Sequence, residues 1–172
     1  QSMQDFLRSL QMSLEYGPIA EAHLARATQL INKTNQFTPT TRRYSTEEVV
    51  RALRTPGALH LQFRLQDRFG DNGMVSAMLM LPVDDRQDCV HIDAWVMSCR
   101  VFGRQLEQEA MNVAIEAARQ RGVREIQATY IPTPRNGVIR DLFASLGFRA
   151  LDGQAGESGT TRSMSIGDWR AV

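Results

Sequence analysis

The chain has 172 residues, which is long enough for one domain with its own hydrophobic core. Its net charge of +1, with 42% hydrophobic and 23% charged residues, is typical of a globular protein and argues against a dedicated nucleic-acid-binding protein. No apolar run reaches the roughly 20 residues of a membrane-spanning helix, and no signal peptide is recognisable. Cys89 and Cys99 are the only cysteines, so the sequence predicts no disulfide framework and favours a reducing, cytoplasmic location.

Hydrophobic periodicity divides the chain into strands and helices. Ser45, followed three residues later by Glu48, forms a capping box that predicts the start of a helix. Asp71-Asn72-Gly73 is typical of a hairpin turn. Gln1-Ser2-Met3 resembles the remnant of an expression tag, so we expect a single mixed α/β domain over residues 4–172. In chain order, the predicted elements are a strand within 4–17, helices at 22–34 and 45–54, strands at 58–66, 74–83 and 89–98, a helix at 104–122, a strand at 125–131, a helix at 137–147, and a hairpin of 148–151 with 161–166.

The second cysteine lies where a strand leads into a helix. In the segment WVMSCRVFGRQLEQ, residues 95–108, an apolar strand ends at Cys99 and a turn with Arg100, Gly103 and Arg104 follows. A glycine turn at a helix N-terminus offers backbone N–H groups to anions, so the turn is a candidate cradle for the pyrophosphate of a CoA or pantetheine thioester. The helix start and the adjacent arginine also favour a thiolate that carries an acyl group itself. The alternative is a cysteine buried in the core.

The strand before this cysteine carries a histidine and an aspartate. Regular alternation would place His91, Asp93, Trp95, Met97 and Cys99 on one face. At about 3.3 Å per residue, His91 lies about 26 Å from Cys99. We therefore do not expect His91 to act as a base for this cysteine.

Polar side chains in two loops are candidate substrate contacts. Arg42 and Arg43 follow two threonines, and arginine binds phosphate bidentately, although solvated charge is ordinarily the favoured interpretation of such a pair. Asn136 either contacts substrate or caps the helix that follows it. The candidate substrate-binding residues are Asn32, Asn35, Thr41, Arg42, Arg43, Tyr130, Thr133 and Asn136.

The order of elements and the junction at Cys99 resemble the GNAT acyltransferase fold, in which a twisted, mixed and mostly antiparallel sheet is flanked by helices. Asn136 and LFASLGF, residues 142–148, extend the resemblance. It implies that two strands splay apart near 96–100 and 125–131. It also implies that backbone N–H groups of the turn bind CoA pyrophosphate. The cofactor-binding residues it implies are Arg100, Phe102, Gly103 and Arg104.

Two positions depart from the GNAT pattern. Gln105 stands where the family usually has a small residue. Phe143 stands where the family usually has a tyrosine that acts as the acid, seven residues after Asn136. Because phenylalanine cannot donate a proton, these departures argue against ordinary N-acetyl transfer by that route.

A more extensive resemblance covers nearly the whole chain and concerns the C-terminal domain of FkbH-like proteins. In full-length members, an HAD-type phosphatase domain precedes this GNAT-like domain, and the proteins form glyceryl-acyl-carrier-protein for polyketide pathways. No phosphatase Asp-x-Asp motif with its domain is present in this sequence. The matching segments are QLINKTNQFTPTTRRYS at 29–45, DRFGDNGMV at 67–75, SCRVFGR at 98–104, YIPTPRN at 130–136 and LGF at 146–148.

This second resemblance implies an acyl intermediate held as a thioester, with Cys99 as the catalytic nucleophile. The implied partners are an acyl carrier protein and the phosphatase domain of the same parent protein. The phosphopantetheine of the carrier, or CoA, would carry the thioester, and we expect no metal and no covalently bound cofactor. The alternatives are a CoA-dependent N-acetyltransferase acting on a small amine and a non-catalytic module that docks a carrier protein.

Overall fold

The computed structural model describes residues 2–156 and 159–171 and contains one seven-stranded sheet. Its helices lie on both faces of that sheet. The strands are β1 Ser13–Gly17, β2 Leu59–Asp67, β3 Gly70–Pro82, β4 Cys89–Met97, β5 Glu125–Tyr130, β6 Arg149–Gly156 and β7 Gly159–Ser165. The α-helices are α1 Met3–Ser9, α2 Leu24–Lys33, α3 Thr46–Leu53, α4 Leu106–Gln120 and α5 Leu142–Ser145. Short 3₁₀ segments lie at Glu21–His23, Cys99–Val101, Gly137–Ile139 and Ile166–Asp168.

The strand order across the sheet is β1-β2-β3-β4-β5-β7-β6. Among these strands β4 and β5 are parallel neighbours, and the other neighbouring pairs are antiparallel. The predicted fold class, a mixed and mostly antiparallel sheet flanked by helices, is confirmed. Within the described ranges no helix is long and apolar enough to cross a membrane.

Each face of the sheet has its own apolar core. On one face, α2 and α3 bury side chains such as Leu30 and Val49 against β3 and β4. On the other face, α4 and α5 bury side chains such as Met111 and Phe143 against the middle of the sheet. The capping box is present as predicted, because Ser45 accepts from the Glu48 N–H and the Glu48 carboxylate accepts from the Ser45 N–H.

Three predicted boundaries were wrong. The β2–β3 turn lies two residues before Asp71-Asn72-Gly73, because the Asp67 carboxylate accepts the Phe69 N–H at 2.8 Å and closes a tight turn there. Gly73, at φ 66, instead lies in β3 beside a shift in the strand register. The helix predicted at 137–147 is divided into a 3₁₀ segment and α5. The strands of the last hairpin extend beyond the predicted 148–151 and 161–166 into the segment between them, of which residues 157–158 lie outside the described residues.

A β-bulge in β4 changes which side chains share a face. Leu79 of β3 pairs with Ala94, and the next residue of β3 pairs with Ile92, so Asp93 has no partner on β3. As a result Ile92, Trp95 and Met97 pack on the α4 side, whereas Ala94 and Val96 pack on the α2 side. The predicted common face from His91 to Cys99 was therefore wrong, since strict alternation stops at Asp93.

Strands β4 and β5 pair only over Cys89–Ile92 and Glu125–Ala128 and then diverge, a few residues before the predicted splay. The segment 37–40 fills this gap. Phe37 forms an antiparallel bridge to Met97, the Ile131 N–H donates to the Pro39 carbonyl at 2.8 Å, and the Thr40 hydroxyl donates to the Asp93 carbonyl at 2.7 Å. The backbone groups that the splay leaves without a strand partner thereby gain one.

We expect Phe37→Ala to lower the free energy of unfolding by about 3–5 kcal/mol, because Phe37 is only 4% exposed and packs edge-on against Trp95 at 5.0 Å. Phe69→Ala is the matched control, since that ring is 74% exposed and its loss should change stability by less than about 0.5 kcal/mol. Urea denaturation of both variants measures the difference. Equal losses would show that Phe37 does not hold the gap closed.

Candidate functional site

Cys99 lines a cavity of about 530 Å³ at the end of β4. The C-terminal end of α2 forms one wall, the 3₁₀ segment after β4 a second, and the loop after β5 a third. Every charged residue that lines it is basic. Among the described residues, no Asp or Glu lines this cavity. The lining residues are Arg26, Leu30, Lys33, Thr34, Asn35, Gln36, Met97, Ser98, Cys99, Arg100, Phe102 and Arg135.

Cys99 is exposed and is the first residue of the 3₁₀ segment that follows β4. The alternative of a buried core cysteine is therefore wrong for Cys99, whereas Cys89 is fully buried. Helix α4 begins only at Leu106, not near Gly103 as predicted, so Cys99 is not within one turn of the α4 N-terminus. Because a helix dipole acts over about one turn, the positive charge beside Cys99 comes from side chains instead.

Both arginines of the turn after Cys99 are directed toward the β2–β3 hairpin. Arg104 donates to the Asp67 carboxylate at 2.9 Å, and the Asp67 side chain is only 3% exposed. Arg100 donates to the Asn72 carbonyl at 3.4 Å and to the Ser98 hydroxyl at 3.3 Å. Arg104 was predicted to bind a cofactor, but its contact with Asp67 makes it a structural tie between the turn and the hairpin.

The hydrogen-bonding environment stabilises the ionised form of Asp67. The backbone N–H of Phe69 and, next, the guanidinium of Arg104 lower the pKa of the Asp67 carboxyl below its ordinary value. This ion pair was not predicted, because its partners are 37 residues apart in sequence.

The backbone between Cys99 and α4 is the predicted anion cradle, but no basic side chain of the described part of the chain lines the cavity beside it. Gly103 and Gln105 have φ values of 78° and 59°, and the Gln105 side chain makes no capping hydrogen bond to α4. As in any α-helix, the first N–H groups of α4 have no intrahelical partners, and the Gln105 side chain does not accept from them. The lining of this adjacent cavity of about 290 Å³ includes Phe102, Gly103 and two acidic residues, Glu107 and Asp141. Binding of a pyrophosphate by this turn stays a prediction, and the basic side chains lie in the Cys99 cavity instead.

Three predicted substrate contacts at the end of α2 bind other parts of the protein. Asn32 pairs with the backbone of Tyr44, accepting its N–H at 2.9 Å and donating to its carbonyl at 2.6 Å. Arg43 donates to two carbonyls at the end of α2 and to the Asn35 side chain at 2.7 Å. These contacts fix the loop 34–44, and among the three residues only Asn35 lines the Cys99 cavity.

Asn136 is fully buried, and its side chain is saturated with internal hydrogen bonds. It accepts from the Thr133 N–H at 2.8 Å and from the Tyr130 hydroxyl at 3.1 Å, and it donates to the carbonyls of Thr38 and Ile131 at 3.2 and 2.8 Å. It neither caps its 3₁₀ segment nor faces a cavity, so it is a structural residue. Tyr130 and Thr133 line a separate cavity of about 480 Å³.

Thr41 and Arg42 lie beside the β4 bulge and not in the Cys99 cavity. Thr41 has φ 59, which is a strained conformation for a β-branched residue. The Arg42 guanidinium stacks 4.5 Å above the Tyr44 ring and lies 4.0 Å from Asp93 and 3.8 Å from Glu48. Burial raises the pKa of Tyr44 to about 12, although Arg42 opposes the shift.

Several residues of the Cys99 cavity were not predicted. Arg26 and Lys33 lie seven residues apart on α2, and Arg135 follows β5. Their helical spacing is visible in the sequence, but only the tertiary structure brings them to Cys99. Among the described residues no group of three potential metal ligands is present.

Solved structures with the same arrangement of strands and helices are numerous. The GNAT domain of S. lividans PAT matches with a TM-score of 0.66 and 13% sequence identity, covering 88% of this chain and 90% of that one. The ribosomal-protein-S18-alanine N-acetyltransferase from Escherichia coli matches with a TM-score of 0.64 and 14% identity, covering 90% and 94%. The chain has the GNAT fold.

A third GNAT-fold match, yncA from Salmonella typhimurium, was solved with its cofactor acetyl-CoA. Its TM-score is 0.65 at 17% identity, and the alignment covers 94% of this chain and 96% of that one. No protein-family model and no curated protein matches the sequence. The TM-scores establish the shared fold, but sequence identities this low do not establish a shared substrate. The substrate must be inferred from the side chains of this chain.

The Asp67–Arg104 pair predicts a pH-dependent contribution to stability. Because the folded-state pKa of Asp67 is lowered, its stabilisation is present above the unfolded-state pKa of about 3.9 and is lost as pH falls through the folded-state value. Asp67→Asn should therefore destabilise the protein at neutral pH, and its difference from wild type should stay constant down to about pH 5 and shrink as the pH falls further, toward about pH 2.

Urea denaturation across this pH range measures that difference. The exposed Asp85 provides the control Asp85→Asn, which should follow wild type throughout. A difference for Asp67→Asn that is independent of pH would contradict the assigned pairing.

Proposed function

We propose that the chain is an acyltransferase domain that moves a glyceryl or related short hydroxyacyl group through Cys99 to the phosphopantetheine thiol of an acyl carrier protein in polyketide biosynthesis. The observation that carries the proposal is the exposed Cys99 in a cavity whose charged lining residues are all basic. The sequence resemblance to the C-terminal domain of FkbH-like proteins supplies the acyl group and the carrier.

The chemistry is an exchange of acyl groups on sulfur. The Cys99 sulfur attacks the carbonyl carbon of an acyl donor, and the donor's leaving group departs with the electron pair of the broken bond. The thiolate of the carrier's phosphopantetheine then attacks the acyl-Cys99 thioester, and the Cys99 thiolate is released. Because one thioester replaces another in the second step, that step has little net cost in free energy.

The basic lining of the cavity suits this reaction in two ways. A phosphopantetheine arm carries a phosphate, which the guanidinium groups of Arg26 and Arg135 and the ammonium of Lys33 can bind. The same cations stabilise negative charge that develops on the Cys99 sulfur when its thioester is cleaved. The amides of Asn35 and Gln36 provide hydrogen-bonding groups for the hydroxyls of a glyceryl chain.

The filled gap between β4 and β5 determines from which side an acyl thioester reaches Cys99. Because Phe37 and its neighbours occupy the gap between β4 and β5, an acyl thioester reaches Cys99 from the open cavity rather than between the strands. In this proposal CoA or a carrier-bound phosphopantetheine is the thioester carrier.

A second candidate function is CoA-dependent N-acetyl transfer to a small amine, and the GNAT fold shared with a structure that binds acetyl-CoA favours it. Phe143 argues against it, because this ring is 3% exposed, packs 6.1 Å from Trp95 and has no proton to donate. A carrier-docking module without catalytic activity is a third possibility that the experiments below distinguish.

The direct test is intact-protein mass after incubation with a synthetic glyceryl thioester of N-acetylcysteamine. We expect one glyceryl adduct on wild type and on Cys89→Ala, because Cys89 is buried, and none on Cys99→Ala. Cys99→Ser should form no adduct or a stable oxygen ester that cannot pass to a carrier thiol. Turnover of acetyl-CoA with an amine that is unaffected by Cys99→Ala would instead support N-acetylation, and carrier binding with neither reaction would support the docking module.

The charge of the cavity gives an independent prediction. The double variant Lys33→Glu/Arg135→Glu should weaken binding of a phosphopantetheinylated carrier protein at least about tenfold at low salt, because both side chains are exposed on the cavity. Arg149→Glu is the charge-matched control for one substitution, since Arg149 is exposed on β6 outside this cavity. Calorimetry at two salt concentrations measures the affinities, and equal losses for the control and the double variant would contradict a specific role for the cavity.

A further inference from the structure

A chain of hydrogen-bonded reactive side chains runs across β4, β5 and β7, on the sheet face opposite α4. Asp93 Oδ1 lies 2.6 Å from His91 Nδ1, His91 Nε2 lies 2.8 Å from Thr129 Oγ1, and Thr129 Oγ1 lies 2.9 Å from Thr161 Oγ1. The side chains of His91 and Asp93 are 24% and 21% exposed. These groups are separate from the Cys99 cavity, whose lining contains none of them.

The polarity of the chain follows from which atoms can donate. An ionised carboxylate only accepts, so His91 Nδ1–H donates to Asp93. His91 Nε2 in the neutral ring is then an acceptor, and the Thr129 hydroxyl donates to it. Thr161 completes the chain by donating its hydroxyl proton to the Thr129 oxygen. In this assignment every donor has an acceptor, and the Thr129 proton is directed at a histidine lone pair.

The fold fixes this arrangement through two features. The bulge at Asp93 removes that residue from the β3 ladder, and the hydroxyl of Thr40 holds its carbonyl at 2.7 Å. Thr129 lies in β5 next to the end of the β4–β5 pairing, and its cross-strand partner on β7 is Thr161. Arg42 places a cation 4.0 Å from the second oxygen of Asp93.

We propose that Asp93, His91 and Thr129 form a second reactive centre, in which His91 activates the Thr129 hydroxyl as a nucleophile toward esters and thioesters. A hydroxyl, a base within hydrogen-bonding distance and a third group that orients the base are the components of an activated nucleophile. This inference is independent of the function proposed for Cys99.

The step balances without any further reactant. Thr129 Oγ forms a bond to the acyl carbon, and its proton passes to His91 Nε2, where Asp93 stabilises the imidazolium. The bond from the acyl carbon to the leaving thiolate or alkoxide breaks, and His91 returns the proton to that leaving group. Water or an acceptor alcohol then cleaves the acyl-Thr129 ester by the reverse sequence of proton transfers.

The test uses the full chain in a Cys99→Ala background, so that the thiol cannot react and the result does not depend on the proposed function. Diisopropyl fluorophosphate is the probe, because it forms a stable phosphoester with an activated hydroxyl and releases fluoride. Peptide mass spectrometry should locate one adduct at Thr129. His91→Gln should slow labelling at least about a hundredfold, and Thr129→Val should abolish it.

Two further variants keep the test decisive. Thr129→Ser retains the hydroxyl and should still be labelled at position 129, whereas Thr46→Val removes an exposed hydroxyl at the start of α3, outside this chain, and should be labelled as fast as the parent. Thermal melting of each variant establishes that it is folded. The proposal is overturned if the folded parent protein shows no adduct at Thr129, or if His91→Gln is labelled as fast as the parent.

Discussion

Buried backbone groups must find hydrogen-bonding partners, and this requirement is most demanding where β4 and β5 diverge. The two strands pair over only four residues each. Beyond that point the segment 37–40 supplies the missing partners, and Asn136 joins this segment to the loop after β5 through the carbonyls of Thr38 and Ile131. The splay is thus filled by hydrogen-bonded chain rather than being an open slot. The bridge from Phe37 to Met97 holds the end of β4, two residues before Cys99.

The loop 34–40, which contains this segment, contacts both proposed centres. At one end, the loop from Thr34 to Gln36 forms a wall of the Cys99 cavity. At the other end, Thr40 holds the bulged carbonyl of Asp93 next to His91. A single stretch of chain therefore positions the thiol on one side and the Asp93–His91–Thr129 chain on the other. Changes within it would be expected to affect both centres, whereas Cys99, Lys33, Arg135, His91 and Thr129 lie outside it.

Features that depend on neighbouring residues could be predicted from the sequence. Features that depend on pairing or packing between distant segments could not. The Ser45 capping box and the position of Cys99 at the end of a strand depend on neighbouring residues, and both are present as predicted. The bulge at Asp93 depends on the register with β3, which strict alternation along one strand does not reveal. Arg26 and Arg135 reach Cys99 from elements more than 100 residues apart in sequence, so no motif connects them.

The central claim is that Cys99 carries the acyl group between donor and carrier. A single-turnover chase tests it most directly: wild-type protein is first acylated with the glyceryl thioester, freed of excess donor and then mixed with phosphopantetheinylated carrier protein. The account predicts that the acyl-Cys99 species disappears at the same rate at which acyl-carrier forms, with no lag and no hydrolysed glycerate. An adduct that persists while added donor still acylates the carrier would contradict the claim.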